Sequence, residues 1–375
     1  IRRPPRSTLD RSSAASDVYK RQVPENQRTQ GSQEQRSAEG PDDRPRSQAV
    51  TGRFLLESSP MVLSMHRLRV GFVGLGRRGR FHLQRISLRN DIVPVALVVD
   101  GTEEVEIGEP DGCRIVSDCD ELFVDEDIDV ILVTGMQPGR IEMVRRALDR
   151  GRSVALPSPL TVAEAALVAD GSPGPRLLVL SDCLADDDFR VAWDQVQSGR
   201  LGEPRALAHT TWGFVGSGRR QSSDDGRLPV PLLDRLEQFL LLTAVDQLSV
   251  SAHRLAGSGL SEGIGVRVLS PAGMTARIEY HPSSPAPLAT GWMIAGTEGG
   301  YRDFEVFSVT DDEEVYGTQL ASTSIDLDRI YDDLLVQWHD DAHRADVLRR
   351  AARLTRLVEA VRVSLVDGVE VTIDL

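Results

Sequence analysis

Gly74, Gly76 and Gly79 stand at GxGxxG spacing, directly behind an apolar run at residues 69–73 and directly before a helical stretch at 78–89. Few folds accept that arrangement. The first glycine permits a tight strand-to-helix turn, the second lets backbone approach a bound group, and the third lets the helix pack on the strand. The open helix end presents unpaired amides, which favour an anionic group such as a pyrophosphate. A second apolar run, 93–99, leads into Asp100, placed where a carboxylate takes a ribose 2′-hydroxyl. A dinucleotide is therefore the expected cofactor. Asp100 disfavours a 2′-phosphate and points to NAD, while Arg77, Arg78 and Arg80 leave NADP open.

The same alternation continues. Apolar runs at 130–134, 154–156 and 177–180 are interleaved with helix candidates at 117–124, 138–150 and 161–169. The runs are continuous rather than alternating, as in strands buried on both faces of a parallel sheet. This βαβ series predicts an α/β chain with a doubly wound Rossmann domain at 66–185. Thr161 followed by Glu164 has capping-box spacing. Beyond 186 the runs between Ala206 and Tyr301 are separated by Gly, Pro and Ser turns, as in an antiparallel sheet. His209, Trp212 and Trp292 in or beside those runs read first as sheet residues. Val347, Ala351, Leu354, Val358, Val361 and Leu365 form one apolar stripe on a long helix, which reads as core packing.

Composition narrows the partners. The net charge of −14 argues against a nucleic-acid partner. No apolar run approaches the roughly 18–20 residues needed to span a bilayer, and the densest stretch, 239–245, is far shorter. Cys113, Cys119 and Cys183 lack metal-ligand spacing and fit a reducing cytoplasm. The clusters Asp186, Asp187, Asp188 and Asp340, Asp341, His343 read as helix-start carboxylates and polar surface, so no metal is predicted. Residues 1–60, rich in Arg, Ser, Gln, Pro and Gly, read as disordered. Their opening stretch resembles translated linker DNA, so the native start is expected at Met61 or Met65. The sole lysine, Lys20, lies in that leader.

With these motifs in place, the chain resembles the Gfo/Idh/MocA oxidoreductases, the family of glucose-fructose oxidoreductase and inositol dehydrogenase. VGFVGLGRRGRFHL at 70–83, DVILVT at 129–134, SGRLGEPRAL at 198–207, GTEGG at 296–300 and the closing segment 356–375 carry the resemblance. It implies an α/β substrate and oligomerisation domain at 186–375 with an open, largely antiparallel sheet. It also implies a sugar- or polyol-like ligand and a homo-oligomer. The expected cofactor contacts are Gly74, Leu75, Gly76, Arg77, Arg78, Gly79, Asp100, Thr134 and Pro157.

The family's catalytic set is altered here. Family members carry Glu-Lys-Pro after the fifth strand and a histidine four residues beyond an aspartate. The corresponding residues are Pro157, Ser158 and Pro159, then Asp234 and Gln238. Taking a hydride from an alcohol requires a proton acceptor and benefits from a cation. Ser158 and Gln238 supply neither. Two main expectations follow: an oxidoreductase with a rewired site, using Asp234 or His209 as base and Arg235 or Arg140 as electrophile, or a catalytically silent nucleotide-binding relative. A glycosidase-like member is a third.

Overall fold

The computed structural model describes residues 67–98, 112–135, 139–168, 176–212, 228–255, 263–282, 291–309, 314–321 and 326–375. The leader, Asp100 and the side chain of Arg77 lie outside the described parts.

A six-stranded, wholly parallel sheet is built from β1 (Leu68–Val73), β2 (Ile92–Val98), β3 (Arg114–Val116), β4 (Val130–Val133), β5 (Ser153–Pro157) and β6 (Leu177–Leu180), in the order β3-β2-β1-β4-β5-β6. Every residue of β4, β5 and β6 is buried, which is why these runs show no polar alternation. The crossovers are α1 (Arg77–Ile86), α2 (Cys119–Val124), α3 (Arg140–Asp149) and α4 (Val162–Val168). Helix α1 stops three residues short of its expected end. The capping box forms as expected: the amide of Glu164 donates to Thr161 Oγ1 at 3.2 Å, and the amide of Thr161 donates to Glu164 Oε2 at 2.9 Å.

A 3-10 turn (Asp182–Ala185) and α5 (Asp187–Gln197) lead into the second sheet. Its strands are β7 (Pro204–Trp212), β8 (Gln247–Leu255), β9 (Gly263–Leu269), β10 (Thr275–His281), β11 (Met293–Gly296), β12 (Gly299–Arg302), β13 (Glu305–Val309), β14 (Val315–Gln319) and β15 (Val371–Asp374). They form nine strands in the order β14-β13-β12-β11-β7-β10-β9-β8-β15, antiparallel except for the parallel pair β7 and β10. Two of the sequence motifs meet where β7 begins and β11 ends. Gly202, with φ of 67°, lies against Thr297 and Glu298, and Glu298 donates its amide to the Leu201 carbonyl at 3.1 Å. A Cβ on Gly296 would strike that same carbonyl, so both glycines are required by close approach.

Three helices cover the sheets: α6 (Val230–Leu242), α7 (Arg329–His339) and α8 (Asp341–Asp367). Helix α7 buries Ile330, Tyr331 and Leu334 against the β1 face of the parallel sheet, among Phe72, Leu132 and Leu178. Helix α8 divides its stripe. Val347 and Ala351 join the core on the opposite face of the parallel sheet, whereas Leu354, Leu357, Ala360 and Val361 join the core of the nine-stranded sheet. The last helix in the chain thus serves both sheets. Among the described residues, no helix is long and apolar enough to cross a membrane.

Candidate functional site

Beyond the carboxyl end of β6, Ser181 joins Glu237 of α6, and Asp182 of the 3-10 turn joins Arg78 of the glycine turn. The glycine turn is fixed from beneath. Gly74 has φ of 88°, and a Cβ there would meet the Gly135 amide nitrogen at 2.9 Å. A Cβ on Gly79 would strike the Gly74 carbonyl and come within 2.6 Å of Thr134 Oγ1. The Thr134 hydroxyl donates to that carbonyl at 2.5 Å. Thr134, expected as a cofactor contact, is therefore committed to shaping the turn. Leu75 is buried in the core, so only its backbone is available to a ligand. Gly76 caps α1 without a side chain, and the helix ladder begins with Arg80 donating to Gly76 O at 3.0 Å. The amides before Arg80 have no helical acceptor, and the tight Gly74–Gly79 packing leaves the approach to them free of side-chain bulk. A dinucleotide pyrophosphate fits this donor set.

Arg78 does not extend toward the ribose end of that turn. Its Nη2 ion-pairs with Asp182 Oδ2 at 2.7 Å and donates to the Ser158 carbonyl at 3.2 Å. Both partners lie beyond β5 and β6, on the opposite side of β1 from β2. Ser158 is buried; its amide donates to Leu180 O at 2.8 Å, and its hydroxyl makes no hydrogen bond of normal geometry. Pro157 is buried at the end of β5, in register with Leu180. On α1, one turn beyond Arg78, His82 lies 3.7 Å from Asp182 and 3.0 Å from the Tyr331 hydroxyl. Burial drives its pKa down to about 4, with Asp182 opposing and Arg78 assisting, so the ring is neutral at pH 7.

Helix α6 supplies the other wall. Burial drives the Asp234 carboxyl up to about 7; Glu237 and Asp182 add to the rise, and Arg235 and Arg78 oppose it. Glu237 is also raised by burial, and its Oε1 accepts from Ser181 Oγ at 2.6 Å. Gln238 is fully buried and saturated. Its Oε1 accepts from Trp292 Nε1 at 2.8 Å and from Arg235 Nη1 at 2.6 Å, while its Nε2 donates to the Cys183 carbonyl at 3.3 Å. It positions neighbours and has no base function.

Other expected participants are placed by their partners. Arg235 Nη1 also pairs with Asp186, which caps α5 by accepting from the Phe189 amide at 3.0 Å. Asp187 pairs with Arg190, and Asp188 accepts from the Trp292 amide at 2.7 Å and the Tyr301 hydroxyl at 2.8 Å. Asp340 caps α8, and His343 meets Asp333 at 2.8 Å. Arg140, expected as an electrophile, is instead held in a buried ion pair with Glu164 at 2.7 Å. This corrects the expectation: the same Glu164 that completes the capping box fixes the guanidinium. His209 is buried, its ring centroid 5.1 Å from that of Trp292, and burial lowers its pKa to about 3. It is too weak a base at neutral pH, which leaves Asp234. Trp212, at the end of β7, stacks on His281 with centroids 4.0 Å apart.

Residues 68–170 match the model of the Gfo/Idh/MocA oxidoreductase family, NAD-binding Rossmann fold. Residues 68–170 thus carry the NAD-binding Rossmann domain of that family. Inositol 2-dehydrogenase of Mycolicibacterium smegmatis is 30% identical over 152 residues, 38% of this chain and 44% of that protein. Inositol 2-dehydrogenase of Azotobacter vinelandii is 29% identical over 149 residues, covering 37% and 44%. These matches span less than half the length of the curated relatives. Among solved structures, an NAD-binding protein from Listeria innocua superposes with a TM-score of 0.68 at 18% identity, covering 83% of this chain and all of the other. Myo-inositol dehydrogenase from Lactobacillus casei, in complex with NAD(H) and myo-inositol, gives 0.64 at 16%, covering 82% and 97%. At these identities the similarity establishes the shared fold.

Proposed function

We propose that the protein is an NAD-dependent oxidoreductase acting on a neutral sugar- or cyclitol-like alcohol, with Asp234 as the proton acceptor. The carrying observation is an acid poised near neutrality on α6, within the electrostatic reach of Arg78 from the glycine turn. An acceptor tuned close to working pH is both ionised often enough and basic enough to take a hydroxyl proton. In the oxidation one C–H and one O–H bond of the alcohol break and a C=O bond forms. The proton would pass to Asp234, and a bound nicotinamide would supply the acceptor for the hydride and its electron pair. The turn from Gly74 to Gly79 would hold the pyrophosphate.

The relatives named for inositol support a polyhydroxy substrate. So does charge: among the described residues, Arg140 and Arg235 are each paired to a carboxylate, which suits a neutral ligand over an anionic one. We place cofactor binding in residues 66–185 and substrate binding in 186–375, in a cytoplasmic homo-oligomer. Leu269, Met293, Val309, Val315 and Tyr316 are exposed on the nine-stranded sheet and suit self-association.

The test is a thermal shift with NAD followed by an absorbance screen of polyols and sugars. Stabilisation with turnover supports the reading. Stabilisation without turnover identifies a silent relative, the reading favoured by the saturated Gln238, and no stabilisation rejects both.

A further inference from the structure

We propose that Arg78, carried by the glycine turn itself, supplies the positive charge that polarises the substrate oxygen. The assignment rests on the reading that this site performs hydride transfer.

As hydride leaves an alcohol carbon and the hydroxyl proton departs, negative charge accumulates on the oxygen until the C=O bond is complete. A fixed cation beside that oxygen lowers the barrier. The β5 turn offers no cation, because position 158 is serine. The Arg78 guanidinium occupies that neighbourhood from the opposite direction. It is rooted between Gly76 and Gly79, spans to the Ser158 carbonyl at 3.2 Å, and is anchored by Asp182 at 2.7 Å. Both of these contacts use Nη2, and a guanidinium carries five N–H donors, so donors remain beyond this anchor. The side chain is 30% exposed, which leaves it open to a ligand. The competing guanidiniums are turned elsewhere: Arg140 to Glu164 and Arg235 to Asp186 and Gln238. Arg78 also acts electrostatically on Asp234, so the cation and the proton acceptor share one field.

The experiment uses the full chain as wild type, Arg78→Ala, Arg78→Lys and Arg78→Ala with Ser158→Lys. In the ligand-free protein the Asp234 carboxyl is titrated by 13C NMR, its resonance assigned by its absence in Asp234→Asn. Arg78→Ala should raise the Asp234 midpoint by about half a unit or more, and Arg78→Lys should return most of the difference. Affinity for NAD, from thermal shift, should change less than about threefold. Turnover of a polyol accepted by the wild type, myo-inositol being tried first, should fall roughly a hundredfold in Arg78→Ala and recover in part when Ser158→Lys is added. An unmoved Asp234 midpoint, unaffected turnover, or tighter NAD binding on removing Arg78 would each overturn the assignment, the last by showing a plug. If Arg78→Ala does not fold, Arg78→Gln replaces it with the same readings. A wild type that turns over no polyol overturns the parent reading as well, whereas turnover that survives Arg78→Ala overturns only the role of Arg78.

Discussion

Gln238 accepts the indole N–H of Trp292 at 2.8 Å, joining α6 to the residue that leads into β11. The same oxygen takes Arg235, so one amide satisfies two donors in the interior. Gln238→Ala strands both, and a stability loss of about 1–3 kcal/mol is expected in urea unfolding. Gln238→His should lose stability as well, since one ring nitrogen cannot replace an oxygen accepting twice. Full stability in either variant would show that the pairing is dispensable.

Asp234 links stability to pH in a defined direction. Its folded pKa of about 7 exceeds its ordinary value near 4, so between these limits the folded state holds the extra proton. Stability attributable to this group is greatest below pH 4 and falls as pH rises through 7. Relative to Asp234→Asn, the wild type should lose about 1–3 kcal/mol between pH 4 and pH 8, after allowance for solvent screening of a partly exposed side chain. Chemical denaturation across that range reads the difference. Over the same interval, alcohol oxidation should rise with pH, and carbonyl reduction should fall.

Glu164 and Arg140 form a pair in which both side chains are nearly inaccessible. Glu164→Ala removes the ion-pair partner of a buried guanidinium and half of the capping box, at an expected cost of roughly 3–5 kcal/mol. Replacing both residues with apolar ones of similar volume should cost less than Glu164→Ala alone, a comparison that equilibrium unfolding of the two variants makes directly.

Gly79→Ala places a methyl group against the Gly74 carbonyl and Thr134 Oγ1. The turn must open to admit it, so NAD should no longer raise the melting temperature. Thr134→Val tests the same support more gently, removing the hydroxyl that holds the carbonyl while keeping the volume, and should weaken NAD binding several-fold.

The parallel sheet was legible because its strands are short, continuous and apolar, and because the glycine turn and the Thr161–Glu164 box are local in sequence. Strand β3 left no such trace: only Val116 of its three residues is buried. The parallel pairing of β7 with β10 was also invisible, since its register is set by chain segments far apart in sequence. At the site, Asp234, Gln238 and Ser158 were singled out by the resemblance to the family's motifs. The direction of Arg78 could not be read in this way, because Asp182, more than a hundred residues away, determines it. Arg140 misled for the same reason: its partner follows a strand and a turn later.

Helix α8 seats its first turns on the parallel sheet and its later turns on the nine-stranded one. A chain cut near residue 185 would therefore yield two fragments, neither with a complete interior: the first would lack the cover of Val347 and Ala351, and the second would display them. Exchange of halves between relatives by recombination at that point requires the donor helix to match an unfamiliar sheet. The two ends of this sequence are bound to vary together.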